Sequence, residues 1–236
     1  MFLGINTAFN YIGLGLTDDY HVLSDLIISP QDYSFSENLI IEIEKFLSLN
    51  QVSFSDLKAV GLVNGPGSYT GLRVGTTLVN TLAQVRKIAV YSINTLEALA
   101  YQYRDFDGVY FVLIPACQGE VNVQMFGVNQ QEITALSDEM ALKIEVFLQK
   151  ITSYKGDFRV IGSFDKKILL TDHSPEVAEG GPTGILKGLA PLKYLLISEP
   201  LRGLSLAKMA REKFFNQEKI EKKTILPKYS HLPNVR

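Results

Sequence analysis

The chain has 236 residues, of which 46% are hydrophobic and 20% charged, and its formal net charge is −2. This length suffices for one large domain or two small ones, and we predict two. The composition is typical of a soluble globular protein: no apolar run is long enough to span a bilayer, and the first residues lack the basic and apolar regions of a secretory signal. The single cysteine, Cys117, excludes a disulfide framework within the chain and a cysteine metal cluster, which predicts a cytoplasmic protein.

Three short strands open the predicted fold. Residues 1–8, 11–17 and 22–28 are rich in apolar and β-branched side chains, with glycines and two aspartates at their breaks. A capping box from Ser34 to Glu37 then predicts a helix over residues 36–49. Its apolar side is broad enough for two neighbours and comprises Leu39, Ile40, Ile43, Phe46 and Leu47.

Residues 59–86 form the stretch around which the rest of the chain is organised. A run of small and β-branched apolar residues ends at Asn64 and predicts a buried strand. Glycines and a proline then break the strand. Ser68 or Thr70 can cap a helix that is predicted from Tyr69 to Arg86.

The predicted central helix contains no Asp, Glu or Lys and is apolar on most sides, whereas a surface helix normally carries a broad charged face. Its narrow polar stripe comprises Arg73, Thr77, Asn80 and Gln84. Gly71 and Gly75 lower the helix propensity, a loss that is tolerated where another backbone comes close. We therefore predict that the chain's own sheet covers one side and another helix, from this chain or a second subunit, covers much of the rest. The alternative is a wholly internal helix of a three-layer domain.

A domain boundary is predicted after the next helix. A short strand over residues 88–91 and a second capping box, from Asn94 to Glu97, precede that helix. Residues 104–108 then form a polar break. The predicted domains are therefore residues 1–105 and residues 106–236.

The second half repeats the order strand, strand, strand, helix, which indicates a structural duplication without residue-level identity. The predicted elements are strands over 109–114, 120–128 and 132–136, a helix from Asp138, a strand over 158–162, a loop at 179–184 and an amphipathic helix over 204–215. Strands and helices mixed in this order favour α/β layers over a sandwich or a helical bundle.

No motif supplies a convincing catalytic set. The glycine-rich turn before the central helix is a weak phosphate signal, because Leu72 and Arg73 stand where the Walker pattern needs Lys followed by Ser or Thr. Ser68 lacks the flanking glycines of a nucleophile elbow and is interpreted as a cap. The three histidines lie far apart in sequence, which gives no support to a metal site, and Cys117 is interpreted as structural. The residues therefore favour a binding or assembly protein.

Charge is distributed unevenly along the chain. Residues 202–236 contain nine Lys or Arg and three Glu, which gives them a net charge of +6 and leaves −8 for the rest. Such a tail can bind phosphate backbones or an acidic protein surface. Because glutamates interleave with the lysines, a solvated helix face is the favoured interpretation, and direct contact with nucleic acid is the alternative.

Residues 65–75, with the sequence GPGSYTGLRVG, resemble a highly specific motif of the bacterial TsaB family, also called YeaZ. Other blocks along nearly the whole chain agree. They are residues 4–8 (first strand and turn), 36–39 (first helix), 94–100 (after the central helix), 119–121 (a turn of the second domain) and 226–229 (closing segment).

The resemblance implies an actin-like (ASKHA) fold of two ribonuclease-H-like subdomains, with mixed sheets flanked by helices. It also implies a noncatalytic cytoplasmic subunit that binds and activates TsaD, which transfers a threonylcarbamoyl group to the tRNA adenosine next to the anticodon. TsaD would carry the metal and the chemistry, and TsaE would be a further partner. A homodimer is expected when TsaD is absent, and tRNA is expected to be bound only through the complex, away from membranes. No cofactor is implied on this chain, and a nucleotide at the boundary with TsaD is left open.

On this basis we predict that the two N-terminal helices present apolar faces to the equivalent helices of TsaD. The predicted partner interface consists of Leu39, Ile43, Phe46, Leu72, Arg73, Thr76, Val79, Asn80 and Ala83. The motif loop consists of Gly65, Pro66, Gly67, Ser68, Tyr69, Thr70 and Gly71. The alternative function is an actin-like ATP-binding enzyme that acts on its own, with Thr7 and this loop as phosphate contacts.

The chain departs from the family pattern at four places. Asn6 stands where ATP-binding relatives have an Asp near the phosphates, which weakens the case for metal-assisted phosphoryl chemistry. Phe35 replaces a common histidine, Pro115-Ala116-Cys117 replaces Asp-Ala-Arg, and Tyr229-Ser230-His231 replaces Tyr-Leu-Arg. These departures bear on the second-domain contacts and on the tail more than on the central helix.

Overall fold

The computed structural model describes residues 1–29, 35–163, 195–218 and 224–229 of the chain. These residues form two compact units. The first unit is built from Met1–Gln102 together with the described part of Leu201–Arg236, and the second from the described part of Tyr103–Pro200.

The first unit is built on a mixed sheet of five strands. They are β1 (Phe2–Asn6), β2 (Ile12–Thr17), β3 (Val22–Ile28), β4 (Ala59–Gly65) and β5 (Ala89–Asn94), in the order β3-β2-β1-β4-β5. The three N-terminal strands pair antiparallel, whereas β4 joins β1 and β5 joins β4 in parallel. Strands β1 and β2 are buried throughout, as expected for apolar runs covered on both faces.

Helices cover both faces of this sheet. They are α1 (Phe35–Leu49), α2 (Tyr69–Arg86), α3 (Thr95–Tyr101) and the C-terminal helix α5 (Gly203–Phe215). Helices α1 and α2 share one core with the sheet, in which Leu39 and Val79 pack with Leu3. Phe2 points to the opposite face, because successive side chains of a strand alternate, and there it packs with Ala210 of α5.

Three glycines stand side by side across this sheet and let α5 approach it. Gly4 of β1 is paired with Gly15 of β2 and with Gly61 of β4. A Cβ atom on any of the three would overlap the backbone of α5 near Gly203 or Leu206. This glycine row therefore provides a strip without side chains, on which the helix backbone lies directly against the sheet.

The position of α5 corrects the predicted division of the chain. A cut between residues 105 and 106 assigns residues 201–236 to the second subdomain, yet α5 packs on the first sheet. Asp25 of β3 fixes the start of the helix, since its carboxylate accepts hydrogen bonds from Leu204 N and from Arg202 Nη1, both at 3.1 Å. The helix itself was predicted over residues 204–215 and is confirmed.

The second unit contains a six-stranded mixed sheet. Its strands are β6 (Gly108–Pro115), β7 (Glu120–Asn129), β8 (Glu132–Ala135), β9 (Met140–Lys143), β10 (Arg159–Gly162) and β11 (Leu195–Ser198). The order is β11-β10-β6-β7-β8, and β9 also pairs with β7. Helix α4 (Ile144–Ser153) covers one face, where Phe147 and Ile151 join Phe111, Val123 and Val160 in a second core.

Both sheets share one plan. In each, the first strand pairs antiparallel with the second, and two later strands extend its other edge in parallel: β4 and β5 beside β1, and β10 and β11 beside β6. The predicted duplication and the predicted α/β class, with two mixed sheets flanked by helices, are therefore confirmed. Among the described residues, no helix combines the length and the apolarity that a bilayer crossing requires.

One predicted helix start was wrong. The helix predicted from Asp138 begins at Ile144, because Met140–Lys143 pairs with β7 as strand β9. Met140 and Leu142 alternate with exposed neighbours, so this short run follows the period of two of a strand. The predicted loop at residues 179–184 and the capping residue Ser34 lie outside the described residues.

Candidate functional site

The motif loop turns the chain from β4 into α2. Gly65 and Pro66 are joined by a cis peptide bond. Ser68 is the N-cap of α2, as predicted, and its Oγ accepts a hydrogen bond from Gly71 N at 3.3 Å. Ser68 N donates to Ala8 O at 2.7 Å. The loop is therefore held by its own cap and by the turn that follows β1.

Thr7 lies directly beneath the start of α2. It is fully buried, and its Oγ1 has no hydrogen-bond partner among the described residues. A Cβ atom on Gly71 would overlap the Thr7 carbonyl, and one on Gly75 would overlap its hydroxyl. The close backbone approach predicted for these two glycines is confirmed for Gly71, whereas Gly75 faces the side chain of Thr7. In both cases the neighbour is the turn after β1 of the same chain.

The geometry does not favour the loop as a phosphate site. Phosphate-binding loops offer free backbone amides at a helix N-terminus, whereas the amides of Ser68 and Gly71 are already bonded and Thr7 is covered. Asn6 is also fully buried, where its Nδ2 donates to Leu201 O at 2.8 Å and its Oδ1 accepts from Ala8 N at 2.9 Å. Asn6 thus fixes the turn after β1.

The other candidate reactive residues do not lie together in one site. His21 is exposed, with its Nδ1 3.5 Å from Asp18 Oδ2. Cys117 is exposed on a short 3-10 turn, which corrects its interpretation as a structural residue. The described part of the chain brings together no group of three His, Cys, Asp or Glu side chains that could hold a metal ion.

The C-terminal strap, which we define as residues 224–229, crosses α2 and ends at the motif loop. Asn80 of α2 binds both backbone groups of Ile225, whose side chain is buried. Lys228 N donates to Asn64 O at 2.7 Å. The Tyr229 ring lies 4.8 Å from the ring of Tyr69, measured between centroids. Burial raises the pKa of the Tyr229 phenol. The strap therefore covers part of one flank of α2.

Helix α2 has a buried face and an exposed face. Its buried residues are Gly71, Leu72, Gly75, Thr76, Val79 and Leu82. On the exposed face, Arg73 donates from Nη1 to Tyr69 Oη at 3.0 Å and lies over the Tyr69 ring. Thr77, Thr81 and Val85 continue this face toward the end of the helix. The helix is therefore neither wholly internal nor covered by its own chain on every side.

This burial corrects most of the predicted partner interface. Leu39, Ile43, Phe46, Leu72, Thr76 and Val79 are all buried within the first unit. Asn80 is bonded to the C-terminal strap, and Ala83 packs against the core. Of the nine predicted residues, Arg73 is the one that lies on the exposed face.

The accessible surface of the two helices is the α1–α2 face, which we define as Ile40, Ile41, Arg73, Val74, Thr77, Leu78 and Thr81. Of these, Ile40, Val74 and Leu78 are half-buried, and the others are exposed. A groove of about 380 Å³ runs along it. Ile40, Val74 and Leu78 line the groove with apolar side chains, and Arg73 is the charged residue among those that line it. The sequence contains a signal for this surface, because Val74 and Leu78 form one of two apolar stripes on α2. The predicted interface instead used the other stripe, Leu72, Val79 and Ala83, which faces the core.

Comparison with known proteins finds relatives that are named for tRNA modification. Residues 23–162 match the family model described as "TsaD: tRNA N6-adenosine threonylcarbamoyltransferase". Over 124 residues the chain is 30% identical to the tRNA threonylcarbamoyladenosine biosynthesis protein TsaB of Bacillus subtilis, covering 52% of this chain and 54% of that protein. It is 24% identical to the protein of the same name from Escherichia coli over 164 residues, 68% of this chain and 70% of that one.

The fold is that of a solved relative. YeaZ from Pseudomonas aeruginosa superimposes with a TM-score of 0.72 at 18% identity, over 96% of this chain and 98% of that one. The sequence match, by contrast, spans about half the length of the B. subtilis protein, 54%.

Proposed function

Because the chain belongs to the TsaD-type threonylcarbamoyltransferase family, and within it to the TsaB (YeaZ) proteins, we propose that it is a noncatalytic subunit of a tRNA-modifying complex. It binds a TsaD-type transferase and supports transfer of the threonylcarbamoyl group to the tRNA adenosine next to the anticodon. TsaE is a further partner in this proposal, and tRNA is bound through the complex. The chain pairs with itself when the transferase is absent.

The observation that carries this proposal is the composition of the α1–α2 face. Arg73 is the charged side chain among those lining its groove, and the others are aliphatic residues and threonines. Interface cores are depleted of charged residues, because a buried charge loses its hydration. A face of this kind can be covered by another protein at little desolvation cost.

The shape of the face favours a helical partner. The groove lies between two packed helices, with Ile40 of α1 on one side and Val74 and Leu78 of α2 on the other. Side-chain ridges of a third helix pack into such grooves. A transferase of the same family has equivalent helices if it shares this fold, which supports a bundle of helices between the two subunits.

The noncatalytic assignment is supported by the packing around the motif loop. The ATP-binding alternative uses Thr7 and the motif loop as phosphate contacts, but Thr7 is covered and the loop amides of Ser68 and Gly71 are already bonded. The alternative predicts tight binding of ATP with Mg²⁺ by the isolated chain. Isothermal calorimetry tests it, and we expect no saturable heat.

Co-purification with a TsaD-type transferase tests the interface. We expect Thr77→Glu to abolish co-purification, because it places a carboxylate in the groove of the α1–α2 face. Thr77 is exposed, so the variant should fold. Thr152→Glu, at an exposed position of α4, is the matched control and should co-purify normally. Retention of the complex by Thr77→Glu would show that the partner binds elsewhere.

The activity of the assembled complex provides a second measurement. In a threonylcarbamoylation assay with TsaD, TsaE, tRNA and TsaC, the family's source of threonylcarbamoyl-AMP, product formation should depend on this chain. Thr77→Glu should lower it as far as omission of the chain does, whereas Thr152→Glu should not. If omission leaves the rate unchanged, the chain is not an activating subunit.

A further inference from the structure

A second pocket lies within the second unit, between α4 and the sheet. It has a volume of about 360 Å³, and we name it the α4 pocket. Its floor is made by Phe111 of β6, Val123 of β7 and Phe147 of α4, all of which are buried. Ligand pockets of proteins begin at about 300 Å³ and are lined mainly by apolar and aromatic side chains. The α4 pocket therefore has the size and lining of a site for a small molecule.

One side of the pocket is aromatic. The Phe111 ring meets the rings of Phe147, Tyr154 and Phe158 edge-on, with centroid distances of 6.3, 5.5 and 5.2 Å. On the other side Met125 and Met140 are only partly buried. Methionine side chains are flexible and adapt to apolar ligands of different shape.

The rim of the pocket is positively charged. Lys150 and Lys155 line it and are exposed, and neither ammonium forms an ion pair or hydrogen bond with any described residue. Among the described residues, no carboxylate lines the pocket. The hydroxyl groups of Ser137 and Ser153 are already used, since they donate to the carbonyls of Asp138 and Lys150. The charges available to a ligand are therefore both positive.

We propose that the α4 pocket binds a small amphipathic anion, with an apolar body and a single carboxylate. The body would lie on the Phe111 ring between the two methionines, where burial of apolar area stabilises it. The carboxylate would lie at the rim, within reach of Lys150 and Lys155. The apolar body is either an aliphatic chain or an aromatic ring system, and the two are distinguished by the choice of probe.

The chain contains no tryptophan, which makes a single reporter possible. In a Tyr154→Trp variant of the full chain, we expect decanoate or 2-naphthoate, below the concentration at which either self-associates, to shift the indole emission to the blue in a saturable way. An aliphatic site responds more strongly to decanoate and an aromatic site to 2-naphthoate. The neutral analogue decanol should bind about tenfold more weakly than decanoate, because it lacks the charge that the lysines attract.

Charge reversal at the rim provides the decisive comparison. Lys150→Glu combined with Lys155→Glu should weaken carboxylate binding about tenfold. Lys87→Glu, which reverses one exposed charge in the first unit, should leave it unchanged. Tyr20→Trp, at a position that is 84% exposed in the first unit, should show no shift. The proposal is overturned if the Tyr154→Trp variant does not respond, if both reporter variants respond alike, or if decanol and the charge-reversed variant bind as well as their counterparts.

A displacement assay covers the case in which Tyr154→Trp fails to fold. The unsubstituted chain is loaded with the fluorescent apolar sulfonate 8-anilinonaphthalene-1-sulfonate, and decanoate is added. Displacement that requires Lys150 and Lys155 supports the proposal. Displacement that is the same in the charge-reversed variant contradicts it.

Discussion

Asn80 binds both backbone groups of Ile225, although 145 residues separate the two in sequence. Its Nδ2 donates to Ile225 O at 3.0 Å, and its Oδ1 accepts from Ile225 N at 2.9 Å. The carboxamide of Asn80 thus pairs with the backbone of Ile225 as a neighbouring strand would. Through it, the C-terminal strap is fixed to the same helix that carries the α1–α2 face.

Asn80→Ala is expected to lower the free energy of unfolding by about 2 kcal/mol, because it leaves the partly buried amide and carbonyl of Ile225 without partners. Urea denaturation measures this loss. Asn80→Asp keeps the acceptor for Ile225 N but sets a carboxylate oxygen against Ile225 O, so it should not restore the loss. Gln84→Ala, at an exposed position of the same helix, should stay within about 0.5 kcal/mol of the unsubstituted chain. Equal stability of Asn80→Ala and Gln84→Ala would mean that the strap contributes nothing.

Gly4→Ala is expected to destabilise the first unit by about 3 kcal/mol or more. The new methyl group would overlap the carbonyl of Gly203, and a helix backbone cannot move aside as a flexible side chain can. Gly127→Ala in β7 is the matched control, since its Cβ would meet only the side chain of Leu136 at 3.3 Å. There we expect little change, or a small gain from removing a strand glycine. Thermal unfolding measures the stability of both variants. A similar loss of stability in both would refute the close packing of α5 on the sheet.

The two faces of α2 can be distinguished with one type of substitution. Val79 is 0% exposed and Val85 is 70% exposed. Val79→Ala should cost about 2 kcal/mol through lost burial and the cavity that remains. Val85→Ala should cost less than about 0.5 kcal/mol. If chemical denaturation gives equal losses, the orientation of α2 described above is incorrect.

The carboxyl group of Glu97 should make the free energy of unfolding depend on pH. Burial raises the pKa of its carboxyl, Lys213 partly opposes that shift and Glu218 adds to it. The pKa of Glu97 is higher in the folded chain than in the unfolded chain. At pH values between these two pKa values, the folded chain therefore binds more protons than the unfolded chain. Stability therefore falls as the pH rises through this window.

Glu97→Gln removes this titration. Relative to the unsubstituted chain, the variant should gain stability as the pH rises from about 4 toward about 8, which urea denaturation at several pH values can follow. Glu145→Gln, at an exposed position in the first turn of α4, is the control. A difference between Glu97→Gln and the unsubstituted chain that does not change with pH would contradict the raised pKa.

Local patterns predicted most of the elements. The apolar runs indicated the strands of the first sheet, and Ser68 and Asn94 marked the starts of two helices by side-chain caps that the structure contains. The interface prediction failed because periodicity shows that α2 has two apolar stripes but not which one faces the sheet. That choice depends on Thr7, which packs against Gly71 and Gly75 from another part of the chain.

Long-range packing was the other source of error. The strand glycines Gly4, Gly15 and Gly61 lie far apart in sequence, and only their pairing register places them in one row. An interior strand glycine indicates the close approach of another backbone. It does not indicate which helix approaches, so the sequence could not place α5 with the first unit.

The glycine row also has a consequence for synthesis on the ribosome. The N-terminal sheet emerges first, but the helix that lies on its glycines is translated only after all of Tyr103–Pro200. The nascent N-terminal unit must therefore wait with its glycine row uncovered, while the second unit, which is continuous in sequence, can complete its own core. Release of a chain that stops before residue 203 would leave that face permanently open to other proteins.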